Sequence, residues 1–294
     1  MDTLIDLLSL HPPVLVGVAA VLGMIVGSFL NVVVHRLPLM MRRAWQRECQ
    51  QLLELPPEEA DAEARYDLWT PGSRCPHCDA PIRFWRNIPV LSYALLRGRC
   101  ADCRQPIALR YPLVELLTGL TFALVAWRFG PSWQSLWGWF LTAALIALAG
   151  IDWEHFLLPD DITLPVLWLG LLVNAQGLFC SLESALYGAV AGYLGLWSVH
   201  RLFLYLTGRE GMGHGDFKLL AMLGAWLGWP VLPLIILFSS LSGAVIGSLV
   251  LVVRGWDLRT QIPFGPYLAL AGWIALLWGE AILTAYRHWA GWGT

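Results

Sequence analysis

The sequence predicts an all-α polytopic membrane protein of about eight transmembrane helices, carrying one small loop module outside the membrane. Composition is the first observation behind this. The 294 residues are 57% hydrophobic and 14% charged, with 17 tryptophans, whereas soluble domains carry about a quarter charged residues. The second is that apolar runs, several long enough to cross a hydrocarbon core of roughly 30 Å, follow one another from Val14 onward. The third is local: twelve arginines fall between Val34 and Pro112, a stretch in which acids are fewer. Basic residues beside membrane spans mark the cytoplasmic side. A formal net charge of −2 gives no basic surface of the kind that binds nucleic acid.

Residues 1–34 are read as the first transmembrane helix. The chain opens with Asp2 and Asp6, lacks a basic n-region and shows no small-residue cleavage site, so this span is expected to stay as a helix. Gly17, Gly23, Gly27 and Ser28 allow close helix contact, and Asn31 near the exit needs a polar partner. His35 and Arg36 read as interfacial anchors.

Residues 35–112 form the cytosolic loop. Its first part, Gln46 to Asp67, is charged and contains Pro56-Pro57, which reads as surface helix and loop. Its centre holds Cys75-Pro76-His77-Cys78 and Cys100-Ala101-Asp102-Cys103, two C-x2-C pairs with 21 residues between them. That lies one residue beyond the common four-cysteine zinc pattern, and loops between such pairs vary. Four thiolates suit tetrahedral Zn²⁺ in a closed shell, which points to structure and not catalysis. Two disulfides are the alternative, disfavoured by a reducing cytosol; a redox C-x-x-C is a further one, weakened by the pairing and by the absence of a βαβ pattern. Cys49 and Cys180 stand outside the pattern and read as buried thiols. The stretch Ile88 to Arg99 mixes apolar residues with arginines, as a segment against a membrane surface or a protein groove would, and Gly98 reads as a turn before Cys100.

Residues 113–294 are read as a membrane core of about seven helices, near 113–128, 134–151, 162–180, 185–206, 217–229, 231–253 and 264–284. Gly130-Pro131-Ser132 and Gly228-Trp229-Pro230 look like tight hairpins. The 217–229 segment is short for a full crossing. Into this half the glycine-rich run Gly211-Met212-Gly213-His214-Gly215-Asp216-Phe217-Lys218 delivers an aspartate and a lysine. An ionisable group in such surroundings is a functional-site hypothesis by default.

Span parity then pairs two acids. If residues 35–112 are cytosolic, the third span returns to the cytosolic face at Asp152 and the fifth returns just before Asp216. The two thus fall at one face although 64 positions separate them. Two adjacent carboxylates cannot both ionise cheaply, so the pair shares a proton. The ionised partner takes a proton from water while the protonated one polarises an amide carbonyl, which is aspartic-protease chemistry. Metal binding is the competing use, although Mg²⁺ and Ca²⁺ sites gather more oxygen ligands. Helix capping is the plain structural use. It suits Asp160 or Asp161 but not Asp152, whose place at a helix C-terminus meets an unfavourable dipole.

The sequence resembles the prepilin peptidases, or type IV leader peptidases, of bacterial inner membranes. The resemblance rests on Gly27-Ser28-Phe29-Leu30-Asn31 through His35-Arg36-Leu37-Pro38 and on both cysteine pairs. It continues through Ile151-Asp152 with Leu157-Leu158-Pro159-Asp160, and through the G-x-G-D run ending in Asp216. It implies a bifunctional multi-pass enzyme with its loop and active site on the cytosolic side. Such an enzyme cuts the basic leader from type IV prepilins and type II secretion pseudopilins and then N-methylates the new terminus with S-adenosylmethionine. Asp152 and Asp216 match the family's catalytic aspartates, and Cys75, Cys78, Cys100 and Cys103 match its zinc-bearing, methylating form. Gly98 matches the position associated with methylation and, through it, with the cofactor. The partners implied are pilin substrates and membrane lipids, with no nucleic acid. No strand followed by a glycine-rich turn marks a Rossmann-type methyltransferase. From other classes, an ion- or proton-coupled transporter subunit and a non-enzymatic secretion or pilus assembly factor stand as alternatives.

Overall fold

A computed structural model describes residues 12–54, 66–86, 88–209, 211–254 and 262–291. Asp2, Asp6, Pro56, Pro57 and Arg259 lie outside them. Among the described residues there is no strand, only two isolated bridges. Eight long helices coincide with the eight expected spans. They are α1 (Pro12–Leu52), α3 (Arg110–Phe129), α4 (Trp133–His155), α5 (Asp160–Asn174), α6 (Leu182–Thr207), α7 (His214–Leu227), α8 (Leu232–Arg254) and α9 (Gly265–Trp289); a short α2 (Leu91–Leu95) sits in the loop. On length and composition, five helices are apolar and long enough to cross a membrane: α1, α3, α4, α8 with its 3₁₀ lead-in, and α9. Leu120, Val199 and Leu237 turn outward on α3, α6 and α8, as lipid-facing side chains do. The chain divides into two compact units, Met1–Pro131 and Ser132–Thr294.

In the first unit α1 runs through Pro38 to Leu52 instead of stopping near Val34. Proline removes one backbone donor, and the sequence beyond it, Leu39 to Leu52, holds no glycine or further proline to end the helix. Helices α1 and α3 meet at small residues. A Cβ on Gly23 would lie 2.6 Å from the Thr118 carbonyl oxygen, and one on Gly27 2.8 Å from Glu115 Cα, whereas Gly17 faces open space. Asn31 finds its partners: its Nδ2 donates to the carbonyls of Gly27 and Tyr111 at 3.2 and 3.1 Å. Arg36 is no headgroup anchor. It is buried, donates to the Asp67 carbonyl at 3.1 Å and lies over the Tyr66 ring, so it ties the returning loop to α1.

The second unit is built round α7. Its 14 residues span only about 21 Å at ~1.5 Å per residue, and nearly all are buried. The shortness has a physical reason: α5, α6 and α9 pack around α7, so its ends meet protein. Asn174 stitches this core. Its Nδ2 donates to the carbonyls of Ala225 and Trp226 at 2.9 and 2.8 Å, and its Oδ1 accepts from Phe179 and Cys180 N–H. Ser132 and Ser181 cap α4 and α6 through their hydroxyls. Asp160 and Asp161 fall in the first turn of α5, whose cap residue is Pro159, and neither caps it through its side chain. Outside the cysteine pairs, Cys180 is partly buried, while Cys49 is exposed and so not the buried thiol expected.

Candidate active site

Asp152 sits in the last turn of α4. Phe156 ends that helix in the left-handed conformation, its N–H bonded to the Asp152 carbonyl at 2.9 Å. The side chain is buried, and its Oδ2 accepts the N–H of Gly265 at 2.9 Å. Gly265 is the first residue of α9, so the carboxylate meets the positive end of another helix dipole. The unfavourable position at the C-terminus of its own helix is thereby offset. Asp216 lies in the first turn of α7, which is capped by Gly213, and its buried carboxylate lies against the Gly213 backbone. Asp152 lies near enough for its charge to reach Asp216.

Leu158 joins the two halves of this site. A Cβ on Gly265 would stand 3.2 Å from its Cδ2, and one on Gly215 would stand 2.8 Å from its Cβ. The leucine therefore packs against the residue before Asp216 and against the residue that holds Asp152. Behind it, Lys218 Nζ binds both oxygens of Asp160 at 2.7 and 2.6 Å, pinning the start of α5 to the first turns of α7. The rings of His200, His214 and Phe217 form a cluster with centroids 5.4 to 5.6 Å apart. Gly265 did not stand out in the sequence, and Leu158 did so only as part of Leu157-Leu158-Pro159-Asp160. The run Pro263-Phe264-Gly265-Pro266, with proline just inside a helix start, was a readable sign of a helix N-terminus at this face.

In the first unit, Cys75, Cys78, Cys100 and Cys103 converge until their sulfurs all lie within 4.8 Å of one another. The Cys75–Cys103 separation of 3.8 Å is the edge of a tetrahedron with metal–sulfur bonds of about 2.3 Å. None of the four is in a disulfide. Each pair has the same backbone course: Cys75 N–H reaches the Ala80 carbonyl and Asp79 N–H the Cys75 carbonyl, as Cys100 does with Gln105 and Arg104 with Cys100. Asp79 and Arg104 take the same positive φ. The sequence already carries this repeat as Arg-Cys-x-x-Cys-x-x-Pro-Ile at Arg74 and again at Arg99. Backbone N–H groups of Cys103 and Asp102 hold the Cys100 thiol down to about 7. At Cys78 the Ala80 N–H favours the thiolate, but lost hydration and the neighbouring sulfurs outweigh it and push the thiol up to about 12. A dication would relieve that crowding. Among the described residues, this is the group of three or more ligating side chains able to hold a metal ion.

Gly98 takes φ +67° at the turn after α2, and a Cβ there would lie 2.7 Å from Tyr93 Oη. Its carbonyl accepts from Ile107 N–H at 2.8 Å, which closes the hairpin that carries Cys100 and Cys103.

A helical membrane bundle that buries two aspartates at the adjoining ends of α4 and α7 has the makings of a membrane-embedded aspartic peptidase. The chain belongs to the type IV leader peptidase family. Residues 139–248 match that family's description, and residues 21–129 match the bacterial peptidase A24 N-terminal domain. The prepilin leader peptidase/N-methyltransferase of Stutzerimonas stutzeri is 57% identical over 98% of this chain and 99% of its own. The protein of the same description from Pseudomonas aeruginosa is 56% identical over 98% and 99%, and that from Neisseria gonorrhoeae 49% identical over 96% and 97%. No solved structure matches the chain.

Proposed function

We propose that this protein removes the leader peptide from type IV prepilins and type II secretion pseudopilins, with Asp152 and Asp216 as the catalytic pair, and then N-methylates the new terminus. Its site is the bacterial inner membrane, with the loop and both aspartates on the cytosolic face and lipids around the helices. The membrane-spanning part of α1, within residues 1–34, anchors a zinc-bearing segment over 35–112 that begins with the rest of that helix, and 113–294 is the peptidase core. Family membership favours this over a transporter subunit or an assembly factor. The observation that carries the peptidase reading is the buried Asp152 carboxylate held by the Gly265 N–H beside the equally buried Asp216.

The pair shares one proton. Its ionised member takes a proton from water as the water oxygen attacks the scissile carbonyl, and its protonated member hydrogen-bonds the carbonyl oxygen as that oxygen gains charge. The tetrahedral intermediate then collapses: the carbon–nitrogen bond breaks and the leaving amine takes up a proton from the pair. The Gly265 N–H fixes one carboxylate and the α7 N-terminus the other, so the donors are placed before the substrate arrives. Zn²⁺ held by the four cysteines has a closed shell and supplies rigidity to the loop, not chemistry. S-adenosylmethionine, when bound, supplies an electrophilic methyl group to the freed amine.

Asp152→Asn and Asp216→Asn should each abolish cleavage of a synthetic prepilin by detergent-purified enzyme, with membrane insertion and metal content intact. Because the carboxylates act as a unit, the double variant should be no slower than either single one. Near-normal turnover in either single variant removes the dyad.

A further inference from the structure

The first unit contains a cavity of about 370 Å³ between α1, α3 and the loop that carries the cysteines. Such a volume falls in the range of small-molecule sites, about 300–1,000 Å³. Tyr93, Leu96 and Ile107 give it an apolar and aromatic wall, while Ser28, Asn31 and Glu115 give it its polar one. The peptidase chemistry uses none of them, since both aspartates belong to the second unit.

Glu115 is the unusual member. It is 9% exposed, and its Oε2 accepts the Val90 N–H at 2.7 Å. Ser28 lines the same cavity. One donor leaves most of a carboxylate's acceptor sites unused. No lysine or arginine among the described residues pairs with it. The arginines of the cavity wall are turned to other partners: Arg36 to the Asp67 carbonyl, Arg74 to Asp79 and Arg86 to Asp102. A buried carboxylate without a cation is costly, and its retention is accounted for if a cationic ligand completes it. Asn31 adds a second polar group to the lining. Its Nδ2 is committed to two backbone carbonyls, which fixes the amide's orientation. A carboxylate with unused acceptor sites, near an aromatic ring of the same cavity, forms a lining for a positive charge.

We infer that this cavity holds the methyl donor, with Glu115 facing its sulfonium charge; the inference rests on the methyltransferase reading above. The geometry also gives Gly98 a physical role. It does not line the cavity, but it stands directly behind Tyr93, which does. Any side chain at residue 98 would drive the Tyr93 ring toward the cofactor's space.

The test is direct binding to the detergent-purified, full-length protein by calorimetry, comparing S-adenosylmethionine with S-adenosylhomocysteine. The second molecule has the same frame and a neutral thioether in place of the sulfonium. Glu115→Gln keeps an acceptor for the Val90 N–H and removes only the charge. It is expected to weaken S-adenosylmethionine about 10- to 100-fold, the worth of one charge-assisted contact, and to leave S-adenosylhomocysteine within about 3-fold. Metal content equal to the parent's shows that the unit has folded, and Glu115→Asp, which keeps the charge, should recover part of the discrimination. Equal weakening of both ligands would overturn charge recognition and leave Glu115 a support for the Val90 turn. Unchanged S-adenosylmethionine affinity with lost affinity for a cleaved pilin peptide would give the carboxylate to the substrate's ammonium instead. Unchanged affinity for both would place the cofactor elsewhere. Absence of binding by the parent protein would remove the methyltransferase reading itself, an outcome distinct from failure of the site.

Discussion

Gly265→Ala is the substitution that most directly examines the peptidase site, because it leaves both aspartates in place. A Cβ built at residue 265 stands 2.6 Å from Asp152 Oδ2 and 3.1 Å from its Cγ, where ordinary contact begins at 3.4 Å. The carboxylate and the α9 backbone must therefore separate by roughly 0.8 Å in a site close-packed on every side. A hydrogen bond of 2.9 Å lengthened by that amount is no longer one. The loss of a bond to a charged group is worth about 1.5–3 kcal/mol, and a misplacement on the order of 1 Å costs about 10²-fold in rate. Both figures point to a fall in kcat of about 10- to 100-fold, with KM much less affected because no leader-binding group is removed.

The assay is cleavage of a synthetic prepilin followed by mass spectrometry over a range of substrate concentrations. Gly17→Ala serves as the control, since a Cβ at Gly17 meets nothing within 4 Å. If Gly265→Ala cleaves within about 2-fold of the parent, the Gly265 N–H does not position the reacting carboxylate and the mechanism above is wrong in its main support. A rate loss matched by an equal loss of folded protein on heating would assign the effect to stability and likewise refute it.

Two further outcomes are expected. One Zn²⁺ per chain should be found by elemental analysis and lost in any Cys→Ser variant of Cys75, Cys78, Cys100 or Cys103; because the ligands bind as thiolates, retention should weaken as pH falls. Two disulfides at these positions in freshly isolated membranes would refute both the metal and the cytosolic placement of the loop. Gly98→Val adds bulk against Tyr93 and a strained φ, so processed pilin should appear with its leader removed but largely lacking the methyl mass of about 14 Da; fully methylated pilin from this variant would contradict the role given to Tyr93.

Hydropathy and parity made much of the fold legible. Each of the eight expected spans has a helix, five of them long and apolar enough to cross a membrane, because apolar length is a property of one segment and needs no knowledge of its neighbours. The nearness of Asp152 to Asp216 was expected for a related reason: counting crossings gives the face on which a residue should emerge without saying what it touches. The cysteines were legible through spacing. The end of α1 was not, since a hydropathy reading stops where the lipid stops, whereas the hydrogen-bonded ladder continues wherever no residue breaks it, and here it continues to Leu52.

What sequence could not supply were contacts between distant segments that change what a residue costs. Asp152 looked misplaced at the end of a helix until the N-terminus of α9, 113 positions on, was seen to hold it. Arg36 looked like a membrane anchor because the loop that buries it returns only at Tyr66. Glu115 drew no notice among the apolar residues of α3, yet its burial against Val90 and Ser28 makes it the least expected charge in the first unit. Each case has one physical form. A polar group in an apolar segment signals that something must compensate it, and the compensating group lies in another segment that no periodicity names. Asp152 has its compensation inside the protein, in the Gly265 amide. Among the described residues Glu115 is met by the neutral Val90 N–H, so the balance of its charge falls to a ligand.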